Sequence, residues 1–342
     1  EQNPIGVLQY GISDGYTPLR DTLKRYLKDE LDIIKDDDEL IIVSGAQQVM
    51  DIVAKTFLNE GDTLICEAPS FVGALNTFRS YNVELTGVTV EPDGMNMEEL
   101  EEKLIANPKT KLIYTIPNFQ NPSGVTMSLE KRHQLYELAK KYNVLIIEDN
   151  PYGDLRYSGD DVLCIKSFDT EGIVIYSGSF SKVVAPGIRC GFMVANKEAQ
   201  AKMIVCKQGQ DVHTAMWSQM VCNEFMTKYD YKGHLDMLRA LYREKANLCM
   251  ELLDEYVVPN GITYNKIEGG LFIWCTLPEG VDMLSFCKAL TNRKVCVVPG
   301  NAFLTDGNMP CQSFRINFST PTDDELTQGI KIIGEVAKEF IR

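Results

Sequence analysis

Several kinds of side-chain chemistry are scarce in this sequence or missing from it. Histidine occurs only three times, as His133, His213 and His234. Two of these fall on predicted helix faces, so neither a Ser-His-Asp triad nor a histidine metal centre is supported. Ten cysteines are scattered along the chain, yet none forms a Cys-x-x-Cys pair. Cys66, Cys190 and Cys275 lie inside apolar runs, where a free thiol acts as a small hydrophobe. That usage points to a reducing, cytoplasmic setting and away from disulfides or zinc. No apolar run approaches the roughly 20 residues of a membrane span. The start, Glu1-Gln-Asn-Pro-Ile5, has neither the basic nor the apolar region of a signal peptide. It also lacks an initiator methionine, so further residues are expected upstream. Neither a P-loop nor a Gly-x-Gly-x-x-Gly pattern occurs, and there is no internal repeat. Basic residues are outnumbered 34 to 48, for a formal charge of −14. This balance disfavours non-specific binding to nucleic acid or anionic membrane.

What is present is a long alternation of short apolar runs and amphipathic stretches. The 342 residues suffice for a large domain and a smaller one. Thr17-Pro18 predicts a helix start, with the threonine as cap and Leu19, Leu23, Tyr26 and Leu27 on the apolar face. Asp36 to Glu39 predicts a solvated acidic loop. Strands are then expected at 40–43, 63–66, 83–88, 112–116 and 144–147, each followed by a helix or a polar loop. The helices are expected at 49–58, after a turn over Ser44 to Gln48, and at 71–81, 97–106 and 129–142. Two further strands, 173–176 and 188–194, flank a polar turn. The pattern predicts an α/β fold with a mostly parallel sheet flanked by helices. From about Lys197 it changes to helices at 216–229 and 235–256, strands at 271–276, 295–298 and 314–318, and a last helix from Asp323 to about Ile341. That shift predicts a smaller α+β domain. The expected division is an N-terminal segment 1–16, a large domain 17–230 and a small C-terminal domain 231–342.

The residues able to do chemistry cluster at the ends of the predicted strands, where ligands sit in such sheets. Lys182 lies in Ser177-Gly-Ser-Phe-Ser-Lys182, with Arg189 close behind. An amine among hydroxyls and an arginine suits a phosphate-bearing aldehyde, which predicts a Schiff base to pyridoxal 5'-phosphate; a solvated turn is the plainer reading. Asp149 ends an apolar strand, where a carboxylate needs a cationic partner such as a pyridinium nitrogen. Its neighbour Glu148 points to the opposite face, as a helix-facing or surface group. Tyr152 and Asn121 are placed to hydrogen-bond a phenolic oxygen, or else to serve as a packing tyrosine and an Asn-Pro turn. Ser44-Gly45-Ala46-Gln47 precedes a helix whose first N–H groups can hold phosphate, with Ser179, Ser181 and Arg189 completing the cup. Phe71 can stack on a ring or belong to the core. Arg315 alternates out of Ser313-Phe-Arg-Ile-Asn-Phe318 and can hold a carboxylate bidentately, or form a surface ion pair.

As an ordered set these stretches resemble the fold-type I pyridoxal-phosphate enzymes, and within them the class I/II aminotransferases. The likeness is greatest to the 2-aminoadipate and kynurenine aminotransferase branch, which includes the LysN type. It runs the length of the chain, through Leu8-Gln-Tyr-Gly11, Gly15-Tyr-Thr-Pro-Leu-Arg20, Ser44 to Gln48, Ala68 to Phe71, Phe119 to Gly124 and Glu148 to Tyr152. It continues through Gly178 to Lys182, Lys207-Gln-Gly209, Gly269 to Phe272, Val298-Pro-Gly300 and Arg315. The resemblance implies that Lys182 carries the cofactor and that Asp149 pairs with its ring nitrogen. Asn121 and Tyr152 contact the phenolic oxygen, and Phe71, where relatives often have tyrosine, stacks on the ring. Ala46, Gln47, Ser179, Ser181 and Arg189 hold the phosphate, Arg315 binds the substrate α-carboxylate, and Tyr10 reaches the phosphate of a second subunit in a homodimer. It further implies that relatives carry an arm ahead of Glu1 that covers the active site.

The activity so implied is a ping-pong transamination from an L-amino acid to a 2-oxo acid such as 2-oxoglutarate, with Lys182 moving the Cα proton. Two alternatives share the resemblance. One is the ligand-sensing domain of a MocR-type transcription factor, whose counterpart of Phe119 to Gly124 commonly lacks the asparagine. The other is a pyridoxal-phosphate lyase or decarboxylase on the same fold.

Overall fold

The alternation of apolar runs resolves, in a computed structural model describing residues 4–341, into an eight-stranded sheet with helices on both faces. Residues 1–3 of the expected N-terminal segment and Arg342 lie outside the described residues. In chain order the strands are β1 (Asp38–Val43), β2 (Thr63–Ala68), β3 (Glu84–Glu91), β4 (Gly94–Met95), β5 (Thr110–Thr115), β6 (Leu145–Asp149), β7 (Val174–Ser179) and β8 (Gly191–Asn196). In space they lie in the order β1-β8-β7-β6-β5-β2-β3-β4. Strands β3, β2, β5, β6 and β7 run parallel. β8 is antiparallel to β7, and β1 to β8, so β1 points the same way as the parallel set. The carboxyl ends of six strands therefore open on one edge.

The period of two along each strand sorts the core. Leu64, Cys66, Leu112, Tyr114, Ile147 and Ile175 face one hydrophobic cluster, shared with helices Thr17–Asp29 and Ala46–Phe57. Ile65, Ile113, Ile146 and Val174 face the other, covered by helices Met97–Ala106 and Leu129–Tyr142. Both faces are dry, as a parallel sheet requires. A second, antiparallel sheet joins β9 (Thr263–Tyr264), β10 (Phe272–Thr276), β11 (Val298–Pro299) and β12 (Ser313–Asn317) in the order β11-β12-β10-β9. It has its own core, closed by helices Met283–Asn292 and Asp323–Phe340. Helix Tyr231–Tyr256 gives Tyr231 and Leu235 to the first core and Ala246, Cys249 and Leu253 to the second.

Several local expectations are corrected. Thr17 does not cap its helix, because Tyr16 takes that position and no side chain there accepts a hydrogen bond. The acidic stretch 36–39 is not wholly a solvated loop. Asp38 begins β1 and is buried against the ammonium of Lys166, which also meets Asp169, each at 2.8 Å. Glu148 does face away from Asp149 but is no surface group, since it accepts hydrogen bonds from the N–H groups of Ile165 and Lys166 at 2.8 Å. The strand expected at 188–194 begins only at Gly191, after a 3₁₀ turn over Pro186–Ile188. The one expected at 295–298 shrinks to Val298–Pro299, because Val295 closes the preceding helix through Leu290 O. Helices Lys197–Asp211 and Met283–Asn292 were not anticipated. Among the described residues no helix is long and apolar enough to cross a membrane.

Candidate active site

Where the ends of β1, β2, β5, β6 and β7 meet the second sheet there is a cavity of about 330 Å³. Nearly every polar motif of the sequence reaches it. Ala46 and Gln47 open the helix after β1, while Phe71 comes from the turn after β2 and Asn121 from the loop after β5. Asp149 and Tyr152 follow along β6, Ser179, Ser181 and Lys182 follow β7, and Arg189 precedes β8. Arg315 enters from β12, opposite.

Two groups in this cavity lack the partners their chemistry demands. Asp149 is buried, and its Oδ2 accepts a hydrogen bond from the Tyr114 hydroxyl at 2.9 Å, while Oδ1 has no hydrogen-bond partner. Burial pushes its carboxyl up to about 6, against the pull of the nearby Tyr114 and Ser177 hydroxyls. A buried carboxylate oxygen left open is costly unless a cation meets it. Lys182 makes no ion pair or hydrogen bond among the described residues, and burial, then the charges of Arg315 and Arg189, lower its pKa. That shift favours a neutral, nucleophilic amine.

Asn121 joins two other elements. Its Oδ1 accepts from the Arg315 guanidinium at 2.7 Å, and its Nδ2 donates to the Tyr152 hydroxyl at 3.3 Å. Arg315 lies 4.0 Å from the centroid of the Phe272 ring and 5.0 Å from that of Phe303, with Nε unpartnered. Burial lowers its pKa, yet an arginine stays charged. A cation held between two aromatic rings with donors to spare suits a carboxylate.

The other end of the cavity is made for an anion. Helix Ala46–Phe57 points its first N–H groups there, and Gly45 before it has φ +84°. A side chain at Gly45 would collide with the Arg189 guanidinium, which lies over the turn and donates to Ser44 O at 3.4 Å. The Ser181 N–H donates to Ser179 Oγ at 3.1 Å.

Three expected site residues do not line the cavity. The Ser44 hydroxyl turns away and donates to Asp211, which in turn pairs with the buried Lys207 at 2.6 Å. Gly45 contributes only its backbone. Tyr10 is exposed, its ring meeting His213 edge-on at 5.8 Å. Conversely, the sequence assigns no site role to Tyr114, Phe272 or Phe303, because each reads as plain strand or turn core. Glu67 was missed too. It is buried in β2, and burial pushes its carboxyl up to about 7, against hydrogen bonds from Thr115 and Gln120.

An amine without a counter-ion, a buried carboxylate with one open oxygen and an anion cup at a helix N-terminus together fit pyridoxal phosphate. The fold and cavity thus define a pyridoxal-phosphate enzyme of fold type I. Comparison with known proteins narrows this: residues 5–333 match the family model for aminotransferase class I and II, and the chain belongs to that family. It is similar to aromatic-amino-acid aminotransferase 1 of Thermococcus litoralis, at 38% identity over 100% of this chain and 82% of that one. The 2-aminoadipate transaminase of Thermus thermophilus is 32% identical over 98% of this chain and 82% of its own length. Among solved structures, the Pyrococcus horikoshii kynurenine aminotransferase, in complex with PMP, KYN as substrates and KYA as products, superposes with a TM-score of 0.95. That match has 38% identity and covers 98% of this chain and 84% of the other. The chain is accordingly a pyridoxal-phosphate-dependent transaminase.

Proposed function

We propose that the enzyme moves the amino group of an L-amino acid to 2-oxoglutarate in two successive half-reactions, the first product leaving before the second substrate enters. The observation that carries this reading is the pairing of an unpartnered Lys182 amine with the half-satisfied Asp149 carboxylate in one cavity. Bound there, the cofactor supplies an electron-accepting ring. Asp149 would pair with the ring nitrogen, Asn121 and Tyr152 would donate to the phenolic oxygen, and Phe71 would cover one face. Ala46, Gln47, Ser179, Ser181 and Arg189 hold the phosphate, with the Ser44-Gly45 backbone beneath. Arg315 takes the substrate α-carboxylate. Lys182, whose amine has no other partner among the described residues, would act as the acid–base group that moves the substrate Cα proton.

The second subunit is a copy of this chain. Leu8, Tyr10, Val212 and Trp217 are exposed, the Tyr10 ring lies against His213, and Gly11 approaches Met216, next to Trp217 in the chain. A homodimer covers this face and brings Tyr10 toward the partner's phosphate site. We assign residues 17–230 to the large domain and 231–342 to the small one, joined through helix Tyr231–Tyr256. Ten unpaired cysteines fit a cytoplasmic location.

A donor panel against 2-oxoglutarate, following glutamate and the cofactor's absorption, tests the reading. An aromatic donor comes first, because Phe71, Tyr152 and Phe272 line the cavity. Lys182→Ala is expected to bind cofactor without repeated turnover, and sustained turnover by that variant would sink the assignment. Cofactor binding by the unaltered protein with no donor accepted would point instead to a sensing domain.

A further inference from the structure

Glu67 is among the most deeply buried carboxylates of the large sheet, and no lysine or arginine pairs with it among the described residues. Every neighbour within hydrogen-bonding range is a donor. Oε1 accepts from the Thr115 hydroxyl at 2.6 Å, the Ile116 N–H reaches both oxygens at 3.2–3.3 Å, and Oε2 accepts from Gln120 Nε2 at 3.0 Å. A carboxylate without a cation is an expensive way to join two strands. Gln120 shows what else it joins. Its amide also donates to Pro69 O at 2.8 Å and accepts from the Ser123 N–H at 2.8 Å. Its backbone closes the loop through Val125 O and the Gly124 N–H. All the polar groups of Gln120 are thus engaged, and they tie two segments to one carboxylate. One leads from Pro69 to Phe71, and the other begins at Asn121.

We propose that Glu67 is a positioning residue for the transamination: through Gln120 it fixes Asn121 relative to Phe71, and so holds the hydrogen bonds that Asn121 shares with Tyr152 and Arg315. The inference rests on the assigned contact between Asn121 and the cofactor's phenolic oxygen. If Gln120 is released, the Asn121 amide shifts, and with it the donor at that oxygen and the seat of the Arg315 guanidinium. Displacements of this kind lower rates steeply even though the moved residue is itself unchanged.

Four variants of the cofactor-loaded enzyme separate positioning from structure. Asn121→Ala reports the direct effect. Glu67→Gln puts an amide against the Gln120 amide and the other donors. Gln120→Met leaves Glu67 with Thr115 and Ile116 but cuts the tie to the loop. The double variant Glu67→Gln/Gln120→Glu restores the contact between positions 67 and 120 with its polarity reversed, though without the hydrogen bond to Pro69 O. The readouts are kcat, KM, thermal midpoint and the pH at which the bound cofactor's visible absorption changes. Glu67→Gln and Gln120→Met are expected to move that pH in the direction Asn121→Ala moves it, and to lower kcat between about 10- and 100-fold. The double variant is expected to recover part of both. If Asn121→Ala moves the absorption midpoint while Gln120→Met and any folded Glu67→Gln leave it unchanged, Glu67 is only a staple between strands and the proposal fails. If Asn121→Ala itself moves nothing, the assignment of Asn121 falls and takes the proposal with it. Should Glu67→Gln not fold, Gln120→Met decides alone.

Discussion

Asp149 carries a pH dependence whose sign follows from its surroundings. Its carboxyl is raised from an ordinary 3.8 to about 6 by burial. Between those two values the folded, cofactor-free protein holds a proton that the unfolded chain has released, so this group's contribution to stability falls as pH rises through that window. A ring cation favours the ionised carboxylate, so below pH 6 cofactor binding must expel the proton. Cofactor affinity is therefore expected to climb with pH up to about 6 and then level off. Equilibrium titration checks this, and Asp149→Asn should flatten the slope while weakening binding. Arg315 makes a different prediction. Lysine keeps the charge but loses the fork and the flat stacking surface between Phe272 and Phe303. Losing one charged hydrogen bond costs about 2 kcal/mol, so Arg315→Lys should lower kcat/KM by roughly 30-fold. Cofactor retention should stay near that of the unaltered enzyme, as dialysis followed by absorption would show.

At the scale of elements, the loop after β5 is held by more than Glu67. Arg132, fully buried on helix Leu129–Tyr142, donates to Pro117 O, Met127 O, Leu163 O and Asn118 Oδ1. Arg132→Met leaves these acceptors unpaired inside the fold, which costs about 3 kcal/mol. A lowered chemical-denaturation midpoint together with slower turnover is expected, since the same loop carries Asn121. The elements also explain what was legible beforehand. Helices Met97–Ala106 and Leu129–Tyr142 repeat apolar residues at helical spacing and match their expected ends. Helix Lys197–Asp211 hid because its buried face is Gln200, Met203 and Lys207, two of them polar. Asp149 was readable because it ends an apolar strand with a carboxylate, and Lys182 and Asn121 because each lies in a polar loop just past such a strand. Glu67 and Tyr114 were not, for each sits within a strand and gains its meaning from a partner 35 to 53 residues away.

The whole molecule is an assembly problem. Strand ends from one sheet and Arg315 from another must meet, and the proposed partner copy must cover Leu8, Tyr10 and Trp217. Trp217→Glu places a charge in that apolar face. It is expected to shift sedimentation from dimer toward monomer and to weaken cofactor retention, because Tyr10 would no longer reach the neighbouring site. A variant that stays dimeric at low micromolar concentration would argue against this face as the contact. Between the two sheets, Arg156 pairs with Glu268 at 2.8 Å and lies over the Phe119 ring at 4.8 Å. The loop leading into β10 is thereby tied to Phe119, two residues from Asn121.

The meeting of six strand ends on one edge also sets a timetable. Gln47, Phe71, Asn121, Asp149 and Lys182 lie up to 135 residues apart in the chain. They converge only after β1, β2, β5, β6 and β7 have found their neighbours. Non-local pairings of this kind form late and slowly. During refolding, the helical signal in far-ultraviolet circular dichroism should therefore return well before the absorption of bound cofactor. Pyridoxal phosphate would act as the chain's own reporter of completed topology, silent for every intermediate in which a single one of those strands is still unplaced.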